Sequence, residues 1–127
     1  MDSFNKMYED QINFQKKILS RRCNEKCEPF SYEECEECKQ TCLPTDSVDW
    51  FKYHCLAMTE EMGEVLASDK RWKTHRNERY VREEKLDELA DVFITALNMC
   101  IYSGYDSEDI VNAINKKIKE NNERLNK

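Results

Sequence analysis

Apolar residues recur at helical spacing along most of the chain. Phe51, Cys55, Met58, Met62, Val65 and Leu66 form one stripe, predicting a helix over about 48–67 with Asp46 or Ser47 as its cap. Leu86, Leu89, Ala90, Val92, Phe93, Ile94, Ala96, Leu97, Cys100 and Ile101 cover most sides of a second helix, about 83–102. Such a helix is expected at the centre of its fold. Gly104 ends it, and Asp106 or Ser107 caps a last helix running to about 125, with Ile110, Ile114, Ile118 and Leu125 expected inward. Toward the start, Phe4, Met7, Ile12, Phe14, Ile18 and Leu19 give an imperfect stripe over 3–26. Pro29 breaks it. Ser31 with Glu34 is a capping box for a short helix, "YEECEECKQTC", which Pro44 ends. The stretch 67–81, "ASDKRWKTHRNERYV", is polar and aperiodic and reads as a loop.

The expected fold is therefore all-α: a single domain over 1–127, a four-helix-type bundle with a cysteine-rich hairpin inserted at 23–43. Only 2 Gly and 2 Pro are present, which favours long helices over strands and turns. With 39% hydrophobic and 36% charged residues, the composition suits helices that each bury one face. A net charge of −6 argues against a nucleic-acid polymer as the main partner, because phosphate binding needs a basic surface. No apolar run approaches the ~20 residues that span a bilayer, so no membrane partner is expected. "MDSFNKMYEDQ" lacks a basic segment followed by an apolar one. No signal peptide is expected, and a cytoplasmic, reducing location follows for the 7 cysteines.

The polar residues that interrupt the apolar stripes carry the chemistry. Glu61 and Glu64 share a helix face with His54 and Ala57. Glu88 and Asp91 share a face of the second helix, continued by Thr95 and Asn98. If these two helices are antiparallel neighbours, four carboxylates converge. Unpartnered, they repel one another and some must take up a proton. Asp91, flanked by Leu89, Ala90, Val92, Phe93 and Ile94, needs a partner. A divalent cation and a buried Arg or Lys are the two solutions. Oxygen-only ligation points to Mg²⁺ or Mn²⁺. Glu60, beside them, reads on its own as solvated surface.

"EEMGE", then a loop holding "RWK", then "DELADV" and the terminal "KIKENNER" resemble the all-α nucleoside triphosphate pyrophosphohydrolases. These include MazG-like proteins, dCTP pyrophosphatases and dimeric dUTPases. Their pattern of EExxE followed by ExxD matches Glu60, Glu61 and Glu64, then Glu88 and Asp91, and the similarity covers about residues 48–126. The resemblance implies that Glu61, Glu64, Glu88 and Asp91 hold Mg²⁺ against a triphosphate. Glu60 or Glu61 would accept the proton of the attacking water. It also implies phosphate contacts from Lys117, Asn121 and Arg124, and a homodimer or homotetramer. Trp72 and Lys73 fall where related enzymes place a tryptophan near the base, although Trp72 packed onto the bundle fits equally well. Trp50 and His54 are further candidate wall residues for the base, although a lone His on a helix is usually bland. His75, Arg76 and Arg79 are loop cations that could reach phosphates.

Residues 23–42 depart from the family pattern. Cys23, Cys27, Cys35, Cys38 and Cys42 crowd this segment. A hairpin would bring Cys23 and Cys27 opposite Cys35 and Cys38, with Cys42 as an alternative, in a set that suits a structural Zn²⁺. Paired disulfides and free thiols are the other readings. Cys55 and Cys100 lie on apolar stripes and read as core. A function of another class also fits: a non-catalytic, zinc-stabilised helical interaction module.

Overall fold

The computed structural model describes residues 2–20, 46–73 and 79–126. These residues are all-helical, with four α-helices and no strand among them: α1 (Asp2–Ser20), α2 (Val48–Ser68), α3 (Arg82–Tyr102) and α4 (Ser107–Leu125). A single 3₁₀ turn, Lys70–Trp72, follows α2 inside the stretch expected to be loop. The cysteine-rich hairpin, with Cys23, Cys27, Cys35, Cys38 and Cys42, lies outside the described residues, as do His75 and Arg76.

Helix ends follow the local chemistry. Ser47 caps α2, its hydroxyl accepting from the Trp50 backbone N–H. Asp106 and Asp109 form a reciprocal capping box at the start of α4. Between α3 and α4 the backbone turns through Gly104 at φ +84°, where a side chain would be strained.

α2 and α3 form the main helix pair and run antiparallel. At one end the Ser47 N–H donates to the Tyr102 carbonyl at 2.7 Å. At the other, Lys85 Nζ reaches Asp69 Oδ2 at 2.8 Å. Asp69 also receives Arg71 through both carboxylate oxygens, and the Arg71 guanidinium lies 3.8 Å above the Tyr80 ring. These two cations hold the Asp69 carboxyl well below the usual carboxylate range. They clasp the end of α2 to the start of α3.

The core gathers at the opposite end, where α1 crosses α3. Tyr8, Leu19, Leu97, Ile101 and Tyr102 are buried, with Phe4, Ile12, Trp50, Cys100 and Ile110 packed around them. Tyr102 donates to Gln15 Oε1 at 2.7 Å in a buried bond, and Tyr8 donates to the Tyr105 carbonyl. α4 leans on α1, where the Ser107 hydroxyl meets Asn5 Oδ1 at 2.6 Å.

Several residues expected inward face out. On α3, Phe93 is 71% exposed and Leu86 64%. On α2, Phe51, Met62 and Leu66 are exposed; Leu56, which is not part of the expected stripe, is 74% exposed. Ile114, Ile118 and Leu125 on α4 are exposed as well. The periodicity marks apolar faces correctly as helical. Among the described residues, however, α1 leaves these faces of the α2–α3 pair and of α4 uncovered. Cys55 and Cys100 are half-buried, and Cys55 Sγ lies 3.3 Å from Met99 Sδ.

Candidate metal centre and adjoining cleft

The antiparallel pairing of α2 and α3 sets two i, i+3 carboxylate pairs against each other midway along the helices. One oxygen from each of Glu61, Glu64, Glu88 and Asp91 lies within 4.8 Å of the others. The expected convergence is thus present. Glu61 and Glu88 are half-buried, while Glu64 and Asp91 are exposed. Asp91 therefore differs from its expected setting among apolar neighbours. It lies toward the open side of the cluster.

The electrostatics of this cluster are unbalanced. Burial first, then repulsion from Glu64, Asp91 and Glu60, pushes the Glu61 carboxyl above its ordinary range. Burial, Glu64, Asp91 and Asp87 do the same to Glu88. Glu61 Oε2 and Glu88 Oε2 are both buried without a hydrogen-bond partner. Among the described residues no Lys or Arg forms an ion pair with any of the four; Lys85, one turn before Glu88, is engaged by Asp69. The buried-cation alternative for Asp91 gains no support among those residues. A set of four hard oxygen donors, two of them orphaned, fits a divalent cation.

A cleft of about 280 Å³ opens beside the cluster and shares Glu61 and Asp91 with it. Trp50, Tyr53 and His54 line it from α2, Gln11 from α1 and Asn98 from α3. The aromatic wall is ordered by ring contacts. His54 stacks on Tyr102 at 5.2 Å and 11°, and Trp50 stacks on Tyr102 at 5.5 Å and 19°. Tyr53 meets the His54 ring edge-on at 5.0 Å. His54 is buried, its Nε2 has no partner, and burial lowers its pKa, so the ring is neutral near pH 7. Glu64 and Glu88 line a second, more open depression of about 370 Å³, with Glu84 and Asp87.

Other expected site residues are not gathered here. Trp72 is 57% exposed and does not line the cleft. Its Nε1 donates to the Leu66 carbonyl at 3.3 Å, and Lys73 Nζ lies 5.4 Å from its ring centroid. Lys117, Asn121 and Arg124 are exposed on α4, and Lys117 lies 3.8 Å from Glu120. Arg79 borders a separate depression with Lys70, Tyr80 and Glu84. Glu60 is exposed one position before the cluster.

Gln11, Gln15 and Tyr53 escaped the sequence reading. The only signal for the two glutamines is a four-residue spacing on α1, which in sequence is indistinguishable from a solvated face. Compared with family models, curated proteins and solved structures, the chain matches none.

Proposed function

We propose that the chain is a Mg²⁺- or Mn²⁺-dependent nucleoside triphosphate pyrophosphohydrolase, converting a (deoxy)nucleoside triphosphate to the monophosphate and pyrophosphate. The observation that carries this reading is the four-carboxylate cluster with two buried, unpartnered oxygens, set against an aromatic cleft. The order of EExxE, ExxD and the basic C-terminal pattern supports it as a resemblance.

Glu61, Glu64, Glu88 and Asp91 would hold the cations. When bound, these supply charge neutralisation at the triphosphate and Lewis-acid activation of water. The chain's own residues do the rest. Trp50, Tyr53 and His54 wall the cleft in which a heterocyclic base stacks, a contact every base can make. With the base there, the α-phosphate faces Glu61 and Asp91, which belong to both cleft and cluster. The water oxygen bonds to the α-phosphorus, the bond from that phosphorus to the α,β-bridging oxygen breaks, and pyrophosphate leaves. Glu60, solvated and adjacent to Glu61, takes the proton of the water, or Glu61 itself does so.

Lys117, Asn121 and Arg124 enter this reading through assembly. The exposed Leu56, Leu86 and Phe93 form apolar surface that a homodimer or homotetramer would cover, and a neighbouring copy could present its α4 to the phosphates. A structural Zn²⁺ on Cys23, Cys27, Cys35 and Cys38, or Cys42, remains part of the proposal and is tested by elemental analysis of reduced protein.

A panel of nucleoside triphosphates with Mg²⁺ tests the function. Release of pyrophosphate that stops with chelator is expected. Inertness toward the whole panel would leave the helical interaction module as the better reading.

A further inference from the structure

One polar feature of the cleft has no role in cation binding or water activation. Gln11 Nε2 on α1 donates to Asn98 Oδ1 on α3 at 2.8 Å. Both residues line the cleft, and Asn98 is buried. A side-chain amide carries two donors and one carbonyl acceptor. The bond uses a Gln11 donor and the Asn98 carbonyl. What remains for an occupant is Gln11 Oε1 as acceptor beside the second Gln11 N–H, and Asn98 Nδ2 as donor only. Turning one amide alone would set like against like, whereas turning both together would reverse the polarity; the structure holds the order in which Gln11 donates and Asn98 accepts. A second group in the same cleft is also unspoken for, the buried His54 Nε2.

We infer that the Gln11–Asn98 couple is the specificity-determining contact of the cleft, separating bases with an amino group beside a ring-nitrogen acceptor from bases with a carbonyl beside a ring N–H. The first class is cytosine and adenine, and the second is uracil, thymine and guanine. The two classes present donor and acceptor in opposite order along the same edge. An aromatic wall alone cannot tell them apart. The couple can while it keeps the polarity of that bond, provided the base has one orientation. The carboxylates supply that condition if they anchor the triphosphate, and to this extent the inference rests on the proposed function. A base of the wrong class would set like groups against the buried Asn98 amide and the half-buried Gln11 amide. Such mispairing discriminates far more strongly than a size difference does.

The rival role for the couple is a plain tie between α1 and α3, so the test needs a readout that a tie would not move. Non-hydrolysable α,β-imido triphosphates of cytidine, adenosine, uridine and guanosine are titrated into the Mg²⁺-loaded protein by calorimetry. Hydrolysis of the four parent nucleotides is followed in parallel. Wild type should separate the two classes by about tenfold or more. Asn98→Asp keeps the acceptor for Gln11 but replaces the free donor with a second acceptor. It should change the ratio between classes by about 10- to 100-fold. Gln11→Glu, on the half-buried end of the couple, should disturb the same ratio, and it serves if Asn98→Asp does not fold. Equal affinity for all four analogues in wild type would overturn the inference. So would variants that weaken all four alike with a lowered melting temperature, the signature of a tie. Class-selective binding without pyrophosphate release would keep the base reader and discard the hydrolase. Equal hydrolysis of all four would do the opposite, and failure to bind any analogue would discard both.

Discussion

Glu61 and Glu88 enter one carboxylate cluster from antiparallel helices, and each buries a carboxylate oxygen that no hydrogen bond satisfies. Burial and like charge raise the pKa of both. On the proposed function this arrangement would destabilise the metal-free chain, and a divalent cation would relieve it. Glu88→Gln keeps the shape and removes one charge. In chelator it should raise the melting temperature, and it should abolish the further rise that Mg²⁺ gives wild type. Cation charge stabilisation is worth several kcal/mol, so kcat should fall by on the order of 10²–10³-fold. A variant that melts lower than wild type in chelator would mean the carboxylates support the fold.

The same groups set a pH dependence. For a carboxyl whose folded pKa is raised, the native state holds more protons than the unfolded chain between the two pKa values. The stability it contributes is present below the ordinary carboxylate range and is lost as pH rises through the raised value. His54 acts oppositely, since its lowered pKa removes stability as pH falls below the unfolded value near 6.5. Metal-free protein should therefore gain stability from Glu61 and Glu88 on mild acidification, and His54→Phe should make that gain easier to see. Mg²⁺ should stabilise most at neutral pH and progressively less toward acid. Melting curves with and without Mg²⁺ across this range check the sign. A Mg²⁺ effect that grows toward acid would contradict it.

Tyr53 and Trp72 separate two placements of the base. Tyr53 lines the cleft, and Trp72 lies at the far end of α2 against the Leu66 carbonyl. Loss of a stacking aromatic costs about 1–3 kcal/mol, roughly 5- to 150-fold in affinity. Tyr53→Ala should raise KM by that much for every base, whereas Trp72→Ala should leave KM near wild type. Steady-state kinetics on the two variants decide, and the reverse result would move the base to the loop after α2.

Tyr102 anchors the aromatic wall from beneath. It is fully buried, stacks under Trp50 and His54, and donates to Gln15. Tyr102→Phe should cost about 1–3 kcal/mol by leaving the Gln15 carbonyl without that donor. Chemical denaturation measures this directly.

Much of the helical frame could be read from the residues. Ser47, Asp106 and Gly104 mark helix ends because a hydroxyl, a carboxylate and a missing Cβ each do something local there. The carboxylate cluster was also legible, since i, i+3 spacing is a property of the helix and only the pairing of α2 with α3 had to be assumed. What covers a face is not local. Phe93 and Leu86 look central in sequence, but nothing in the chain's described residues covers them. Asp91 has apolar neighbours along the chain, yet a helix turns 100° per residue and carries it to the open side. Gln11 was hidden for the complementary reason: its partner Asn98 is distant in sequence, and only the crossing of α1 over α3 brings them together.

The most direct measurement follows oxygen. Hydrolysis of a nucleoside triphosphate in ¹⁸O-labelled water, with Mg²⁺, should place the label in the nucleoside monophosphate and leave pyrophosphate unlabelled. Asp91→Asn or added chelator should stop the reaction. Label in orthophosphate with release of a nucleoside diphosphate, or undiminished turnover by Asp91→Asn, would contradict attack at the α-phosphorus by a site built on these four carboxylates.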